Sequence, residues 1–91
     1  MKSEKIIELG YTEPKLINGE WCGLLRFIYT VGLVVGINEY GYKYRYCYHS
    51  MKEANEALVN YDDITIAPAG NWIKRKGEGG DLTNPNYEIN N

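Results

Sequence analysis

The chain has 91 residues, of which 44% are hydrophobic and 24% charged. This length predicts one small domain spanning residues 1–91, and the composition excludes a disordered or fibrous protein. The formal net charge of −2 argues against a general nucleic-acid binder held by counterion release, although a local basic patch is compatible with it.

The cysteines and the hydropathy pattern indicate in which compartment the protein is found and whether it crosses a membrane. Cys22 and Cys47 cannot form a zinc site alone, and there is neither a C-x-x-C pair nor a secretory leader, so we expect reduced thiols and a cytoplasmic location. The longest apolar-rich stretch, residues 24–37, is interrupted by polar residues and is too short to cross a bilayer. The sequence therefore predicts no membrane segment.

The N-terminal third predicts a short element followed by a hairpin. Residues 1–14 are expected to form an arm or a short helix, with the helix over Ser3–Leu9. Glu13-Pro14 should break any regular element. Asn18-Gly19 is a strong tight-turn dipeptide, so a hairpin is expected there, with its second strand beginning at Glu20.

Three strand-like segments follow the turn. Trp21–Thr30 is rich in aromatic and aliphatic residues, and Leu33–Asn38 is an apolar run of strand length. Tyr40–Tyr48 completes the series. Because short turns separate the three segments, residues 20–49 predict a three-stranded antiparallel meander.

The alternation from Tyr40 to Tyr48 is the strongest local pattern. Every second residue is a tyrosine, and a period of two is that of a strand, so we expect five rings on one face. Such a face is either the surface on which a helix packs or an exposed platform that stacks on bases or binds a protein. We expect the central rings to be structural, and Tyr40 and Tyr48 to be exposed.

Ser50 predicts the start of a helix. Its hydroxyl can cap the first turn, and Glu53 completes a capping box. The expected buried stripe recurs at helical spacing: Met51, Ala54, Leu58 and Tyr61. Asp62-Asp63 should lie beyond the last turn, because carboxylates oppose the negative end of the helix dipole.

The C-terminal part predicts short elements and a tail. Ile64–Ile66 is expected to form a brief strand, Pro68–Gly70 a turn, and Trp72–Lys76 a last strand that returns to the sheet. Residues 78–91 are expected to be a polar C-terminal tail. The predicted fold is therefore α+β, with an antiparallel sheet of a three-stranded meander plus a C-terminal strand, and one helix packed on one face.

Two groups of cations are candidate binding sites. The face opposite the tyrosines predicts a stripe that either binds phosphates or is a solvated face paired with Glu20 or Glu39. Its members are Arg26, Lys43, Arg45 and His49. The second group follows Trp72 and is expected to form a binding strand or a charged edge strand. Its members are Lys74, Arg75 and Lys76.

Catalytic and cofactor chemistry has little support in the sequence. The glycines after Lys76 do not lead into a helix as a phosphate-binding loop requires. The acidic residues match no dedicated metal motif, and His49, the one histidine, has no nucleophile at a recognisable spacing. We therefore predict no enzyme, no metal site and no cofactor.

Three segments resemble parts of small uncharacterised proteins encoded by tailed phages and prophages. They are Arg45-Tyr46-Cys47-Tyr48, the helix with Ala54 and Ala57-Leu58, and Trp72-Ile73-Lys74-x-Lys76-Gly77 with the following Asn84-Pro85. The resemblance covers roughly Leu33 to Asn86, and the tryptophan-lysine-glycine segment is its most specific part. The resemblance implies no established activity and no known catalytic residues for this chain. It implies a setting in which short acidic α+β proteins act by occluding a host enzyme.

The sequence thus predicts a non-enzymatic small binding protein, a phage-encoded inhibitor of a host defence protein that acts by protein–protein contact. The predicted binding residues are Tyr40, Lys43, Arg45, Tyr48, His49, Trp72, Lys74, Arg75 and Lys76. The alternative is a nucleotide or single-stranded nucleic-acid binder, in which tyrosines stack on bases and Lys and Arg hold phosphates. A third interpretation is a self-associating module, which would form a homodimer.

Overall fold

The computed structural model describes residues 2–73, which form an antiparallel sheet with one helix packed against each face. The elements are, in chain order, α1 (Ser3–Glu8), β1 (Thr12–Ile17), β2 (Glu20–Arg26), β3 (Val31–Val35), β4 (Tyr44–Tyr48) and α2 (Met51–Val59). The strands lie in the order β1-β2-β3-β4, and all neighbours are antiparallel. The predicted α+β class and meander are confirmed.

The β1–β2 hairpin has the predicted turn. Asn18 and Gly19 both have positive φ, 51° and 80°. Positive φ at both central residues is typical of the two-residue hairpin turn whose twist matches that of the flanking strands. The Asn18 side chain also accepts a hydrogen bond from the backbone N–H of Ile64, over 2.9 Å. The turn therefore holds the segment that follows α2 as well as joining two strands.

The prediction that Glu13-Pro14 breaks regular structure is wrong. β1 continues through both residues, and the pairing with β2 shifts register between Thr12 and Lys15. Glu13 takes a positive φ of 53° at this irregularity. A bulge on an edge strand accommodates proline because its missing N–H is not needed for the sheet ladder.

Alternation along the strands sorts the apolar residues into two clusters. The larger cluster lies between the sheet and α2: Ile17, Cys22, Leu24, Val31, Leu33, Val35, Tyr46, Tyr48, Ala54, Ala57, Leu58, Tyr61 and Trp72. The smaller cluster lies on the opposite face, beneath α1: Ile6, Tyr11, Val34 and Ile37.

Helix α2 begins and ends largely as the sequence predicts. The Ser50 hydroxyl oxygen accepts from the backbone N–H of Glu53 (3.2 Å) and donates to the Glu53 carboxylate (3.3 Å), so Ser50 is the N-cap. The predicted stripe is buried at Ala54, Leu58 and Tyr61, and half-buried at Met51. The two aspartates after Tyr61 lie beyond the helix.

The segment after α2 differs from the prediction. Residues 64–66 form a turn and no strand, because the Asp63 carboxylate accepts from both the backbone N–H (3.0 Å) and the hydroxyl (2.6 Å) of Thr65. Trp72 and Ile73 are not in a strand, although the Ile73 N–H donates to the carbonyl of Cys47 over 2.7 Å. The rest of the predicted last strand and the predicted tail lie outside the described residues.

Candidate functional site

The predicted row of five tyrosines is confirmed for three and wrong for two. Tyr44, Tyr46 and Tyr48 pack on the α2 side of the sheet, whereas Tyr42 packs with the smaller cluster on the opposite side. Tyr40 is 95% exposed, in the turn before β4. The period of two applies only from Tyr44 onwards because the strand begins there.

Two predicted surface residues are buried. The side chain of Tyr48 is fully buried, and its hydroxyl donates to the carbonyl oxygen of Ala69 over 2.7 Å. Burial raises its pKa above the usual value. Trp72 packs edge-on against Tyr46, with ring centroids 5.1 Å apart and planes at 72°. In this fold both are core residues that cannot anchor a partner.

The predicted cationic stripe does not assemble. Arg26 is aligned with Val31 and Tyr48 on the α2 side, whereas Arg45 is aligned with Val34 on the opposite side. Lys43 forms a 2.9 Å ion pair with Glu20. This agrees with the alternative in which the charges of a solvated strand face pair with acidic residues. That carboxylate raises the Lys43 pKa through a hydrogen bond.

The remaining predicted site residues are not gathered in one place. His49 is exposed just after β4, at the end of the sheet opposite Tyr40. Lys74, Arg75 and Lys76 lie outside the described residues. The predicted binding set is therefore not one surface, and the binding roles of its exposed members stay predictions.

Within residues 2–73, the two adjacent large hydrophobic side chains with the greatest exposure lie where the sequence predicted a strand. The loop Phe27–Thr30, named here the tip loop, joins β2 to β3 and is closed by a 2.8 Å hydrogen bond from the Phe27 N–H to the Thr30 carbonyl. Ile28 is 88% exposed and Tyr29 90% exposed. Their strand-forming composition suggested an uninterrupted strand, but β2 ends at Arg26.

Phe27 fixes the tip loop to the sheet. Its ring lies against Gly32, where an added Cβ would approach the ring Cε2 to 2.6 Å, so glycine provides the space. The Arg45 guanidinium carbon lies 5.3 Å from the ring centroid, a cation–π contact. The same guanidinium donates to the Tyr42 hydroxyl over 3.2 Å. The loop therefore has a packed base and an exposed apex.

A shallow groove of about 290 Å³ runs along the base of the tip loop. It is lined by Phe27, Ile28, Tyr29, Thr30, Arg45 and Cys47. Its walls are mostly apolar, and Arg45 supplies a positive charge at one side. Concave, mostly apolar surfaces of this kind are typical of sites that take an apolar side chain.

Two arginines lie beside the tip loop. No acidic residue occurs between Glu20 and Glu39, whereas Arg26 directly precedes the loop and Arg45 lies over its base. This contrasts with the negative net charge of the whole chain.

A second groove, of about 250 Å³, has the opposite character. It lies between α2 and the segment fixed by Tyr48, and Glu53 and Glu56 give it negative charge. Its other lining residues are Ala57, Asn60, Ala69, Gly70 and Asn71. The two grooves are on opposite sides of the sheet.

Residues 2–73 include no helix with the length and apolar character needed to cross a membrane. Nor does this part of the chain bring together three or more His, Cys, Asp or Glu side chains that could hold a metal ion.

The chain matches no protein-family model, and no curated protein or solved structure shows significant similarity to it.

Proposed function

We propose that this chain is a non-enzymatic protein-binding domain and that the tip loop is its main contact surface. The observation that carries the proposal is the adjacent exposure of Ile28 and Tyr29 on a loop fixed by Phe27. Tyrosine is among the residue types enriched where binding energy concentrates. A loop that is already anchored loses less conformational freedom on binding than a mobile one.

The size of the exposed side chains makes this surface useful for binding. A large apolar side chain contributes roughly 1.5–3 kcal/mol when it moves from water into a fully buried site. Ile28 and Tyr29 provide little of this to the folded monomer because both remain in water. A partner with a matching pocket would bury both side chains, and this free energy would then stabilise the complex.

We further propose that the partner is a host protein, and that the chain is a phage-encoded inhibitor of host defence that acts in the host cytoplasm. The resemblance of three segments to phage and prophage proteins supports this assignment. The small size and negative net charge are in keeping with inhibitors that occlude a surface. Inhibition by contact needs no catalytic group.

The nucleotide-binding alternative has less support. Tyr46 and Tyr48 are fully buried in the core, so these rings are not available as a stacking platform for bases. Lys43, which would hold a phosphate, is paired with Glu20. These two observations weigh against that reading of residues 40–48.

A capture experiment with matched variants tests the proposal. The full chain is immobilised, incubated with bacterial host lysate and analysed by quantitative mass spectrometry, alongside an Ile28→Ser, Tyr29→Ser variant. We expect at least a tenfold loss of the captured protein, because two central contacts worth about 2 kcal/mol each would be removed.

Two controls make the result specific to the tip loop. Ile66→Ser removes another exposed aliphatic side chain, and Tyr40→Ser removes a tyrosine exposed at the opposite end of the sheet. Both should capture as the natural chain does. Capture that survives the tip-loop variant, or that is lost with Tyr40→Ser instead, would place the contact elsewhere and overturn this assignment.

A further inference from the structure

We infer that the β1–β2 turn, Asn18-Gly19, is a site of spontaneous covalent modification, at which Asn18 loses ammonia and its conversion to isoaspartate releases the segment that follows α2. The inference goes beyond the proposed function and does not rest on it, since this turn and the tip loop lie at opposite ends of β2. Three observations carry it: the residue pair, the exposure of the turn, and the contact between the Asn18 side chain and Ile64.

The turn leaves the reacting groups accessible. Asn18 and Gly19 are both exposed, and a Cβ added to Gly19 would have no atom within 4 Å. Asparagine is one of the thermally labile side chains, and glycine has no side chain that shields its own backbone nitrogen. Asn18-Gly19 is the one Asn-Gly pair in the sequence. Of the backbone nitrogens that follow an asparagine, that of Gly19 is therefore the least hindered by its own side chain.

The reaction needs only water as a co-reactant. The Gly19 backbone nitrogen attacks Cγ of Asn18, so that an N–Cγ bond forms, the Cγ–Nδ2 bond breaks, and ammonia leaves with the proton of the Gly19 N–H. The product is a five-membered succinimide ring, which water opens at either carbonyl. Opening at Cγ gives aspartate, whereas opening at the main-chain carbonyl leaves Gly19 joined through the side chain, which is isoaspartate.

The Asn18 side chain is also a structural contact. Its Oδ1 accepts a hydrogen bond from the backbone N–H of Ile64 over 2.9 Å. Ile64 lies near the start of residues 62–73, named here the strap, which runs from the end of α2 back to β4. Further along the strap, the Tyr48 hydroxyl donates to the carbonyl oxygen of Ala69. Asn18 and Tyr48 therefore hold two different parts of the strap.

Isoaspartate does not preserve the contact with Ile64. It adds one carbon to the main chain between Ile17 and Gly19, and it moves the pendant carboxylate. The two-residue turn depends on positive φ at both central residues, 51° and 80° here, and a longer backbone disturbs this geometry. Aspartate keeps the original backbone and an acceptor oxygen, so this second product should leave the strap in position.

The same contact slows the reaction in the folded protein. Ring closure joins Cγ of Asn18 to the Gly19 nitrogen, so the side chain must leave Ile64 and rotate onto its own main chain. In the unfolded chain this hydrogen bond does not have to be broken. We therefore expect conversion to be severalfold slower in the folded protein than in urea, which is the size of effect that one hydrogen bond produces.

Asn38 provides a matched comparison within the same chain. It is also exposed at a turn, and its Oδ1 also accepts from a backbone N–H, that of Tyr40, over 2.7 Å. The residue that follows it is Glu39, whose side chain hinders the attacking nitrogen. Asn38 thus shares the exposure and the side-chain contact of Asn18 but lacks the following glycine.

Peptide mapping by mass spectrometry tests the inference on the natural chain. The protein is incubated at mildly alkaline pH, folded and in unfolding urea, until half of Asn18 in the urea sample is converted. Trypsin then releases residues 16–26, with Asn18 as their one asparagine, and residues 27–43, with Asn38 as theirs. In the folded sample, peptide 16–26 should gain the mass difference between an amide and a carboxylic acid about tenfold faster than peptide 27–43. Chromatography separates the isoaspartate and aspartate forms.

Two variants connect the modification with the strap. Asn18→Gly keeps a residue that adopts positive φ and removes both the amide and the acceptor, so peptide 16–26 should stay unmodified and the Ile64 amide hydrogen should exchange severalfold faster. Asn18→Asp keeps an acceptor oxygen and should leave that exchange unchanged. Natural protein enriched in isoaspartate by incubation should behave like Asn18→Gly at Ile64.

Each contrary result overturns a stated part of the inference. Absence of the mass gain in peptide 16–26 of the folded protein, or conversion of Asn38 as fast as that of Asn18, would remove the site. Equal rates in folded protein and in urea would show that the contact with Ile64 does not restrain the reaction. Unchanged exchange at Ile64 in the isoaspartate-containing protein would remove the release of the strap. These three readouts use the natural chain, so they do not depend on the folding of a variant.

Discussion

The Nζ of Lys15 on β1 donates a 2.8 Å hydrogen bond to the carbonyl oxygen of Leu58, near the end of α2. It donates a second, of 3.0 Å, to the carbonyl oxygen of Val59. α2 has no basic residue in its last turn. Lys15 therefore supplies from another element the positive charge that helix C-termini favour, and it binds two carbonyls of the last turn, of which that of Leu58 also accepts from the Tyr61 N–H over 3.1 Å.

Replacing Lys15 by methionine should destabilise the protein. The change keeps most of the apolar stem and removes the ammonium, so the cost is about 0.5–2 kcal/mol from two lost hydrogen bonds and the helix dipole. Urea unfolding followed by tryptophan fluorescence measures it. Lys52→Met, at an exposed position of α2, is the control and should change stability by less than about 0.5 kcal/mol. Equal effects of the two changes would refute the role of Lys15.

Trp72→Ala should destabilise the protein. Trp72 is buried against Tyr46, and truncating a large aromatic core residue costs roughly 3–5 kcal/mol. The midpoint of urea unfolding, followed by far-UV circular dichroism, should fall accordingly. Tyr40→Ala removes an exposed ring and should be close to neutral. A Trp72→Ala chain of unchanged stability would mean that Trp72 does not belong to the core.

Tyr48→Phe isolates one hydrogen bond. It removes the hydroxyl that donates to the Ala69 carbonyl and keeps the buried ring, so we expect a loss of about 1 kcal/mol. Faster amide hydrogen exchange in residues 66–71 should accompany the loss, because this segment is held to the sheet through Tyr48. Tyr40→Phe is the matched control. Unchanged exchange in the segment would show that other contacts hold it.

The protein should lose stability at alkaline pH. Burial raises the pKa of the Cys22 thiol from 9.0 to about 12, and it also raises the pKa of Tyr48 and Tyr61 above their usual value. When pH exceeds about 9, the thiol ionises in the unfolded chain while the folded chain keeps its proton. The unfolded state then binds fewer protons, so the free energy of unfolding falls as pH rises.

The contribution of Cys22 should be complete below pH 9 and should be lost progressively as pH rises through about 12. Urea unfolding at a series of pH values measures the slope. Cys22→Ala should flatten the first part of the decline, from pH 9 upwards, before the tyrosines contribute. A free energy of unfolding that stays constant up to pH 11 in the natural chain would contradict the buried, protonated thiol.

Local patterns predicted the elements that local forces control. The Asn18-Gly19 turn forms because these two residues adopt positive φ readily, and α2 begins at Ser50 because its hydroxyl satisfies a free helical N–H. Alternation also placed Tyr46 and Tyr48 on one face of β4 correctly. These features depend on residues within a few positions of each other.

The sequence did not reveal the candidate site, because that site depends on how the strands align. Arg26 and Arg45 looked like members of one stripe, but register and strand boundaries place them on opposite faces. The exposure of Ile28 and Tyr29 follows from the end of β2 at Arg26 and from the room that Gly32 leaves for Phe27.

By itself, the sequence determined the α+β class, the β1–β2 hairpin turn, the first residue of α2 and the alternation of side chains along β4. Each of these follows from short-range backbone preferences and side-chain spacing. The tertiary structure alone decided which tyrosines are buried, where Lys15 finds its carbonyls, and that Phe27 and Arg45 meet. Those outcomes depend on contacts between residues far apart in the chain, which form only when the strands pair in one register.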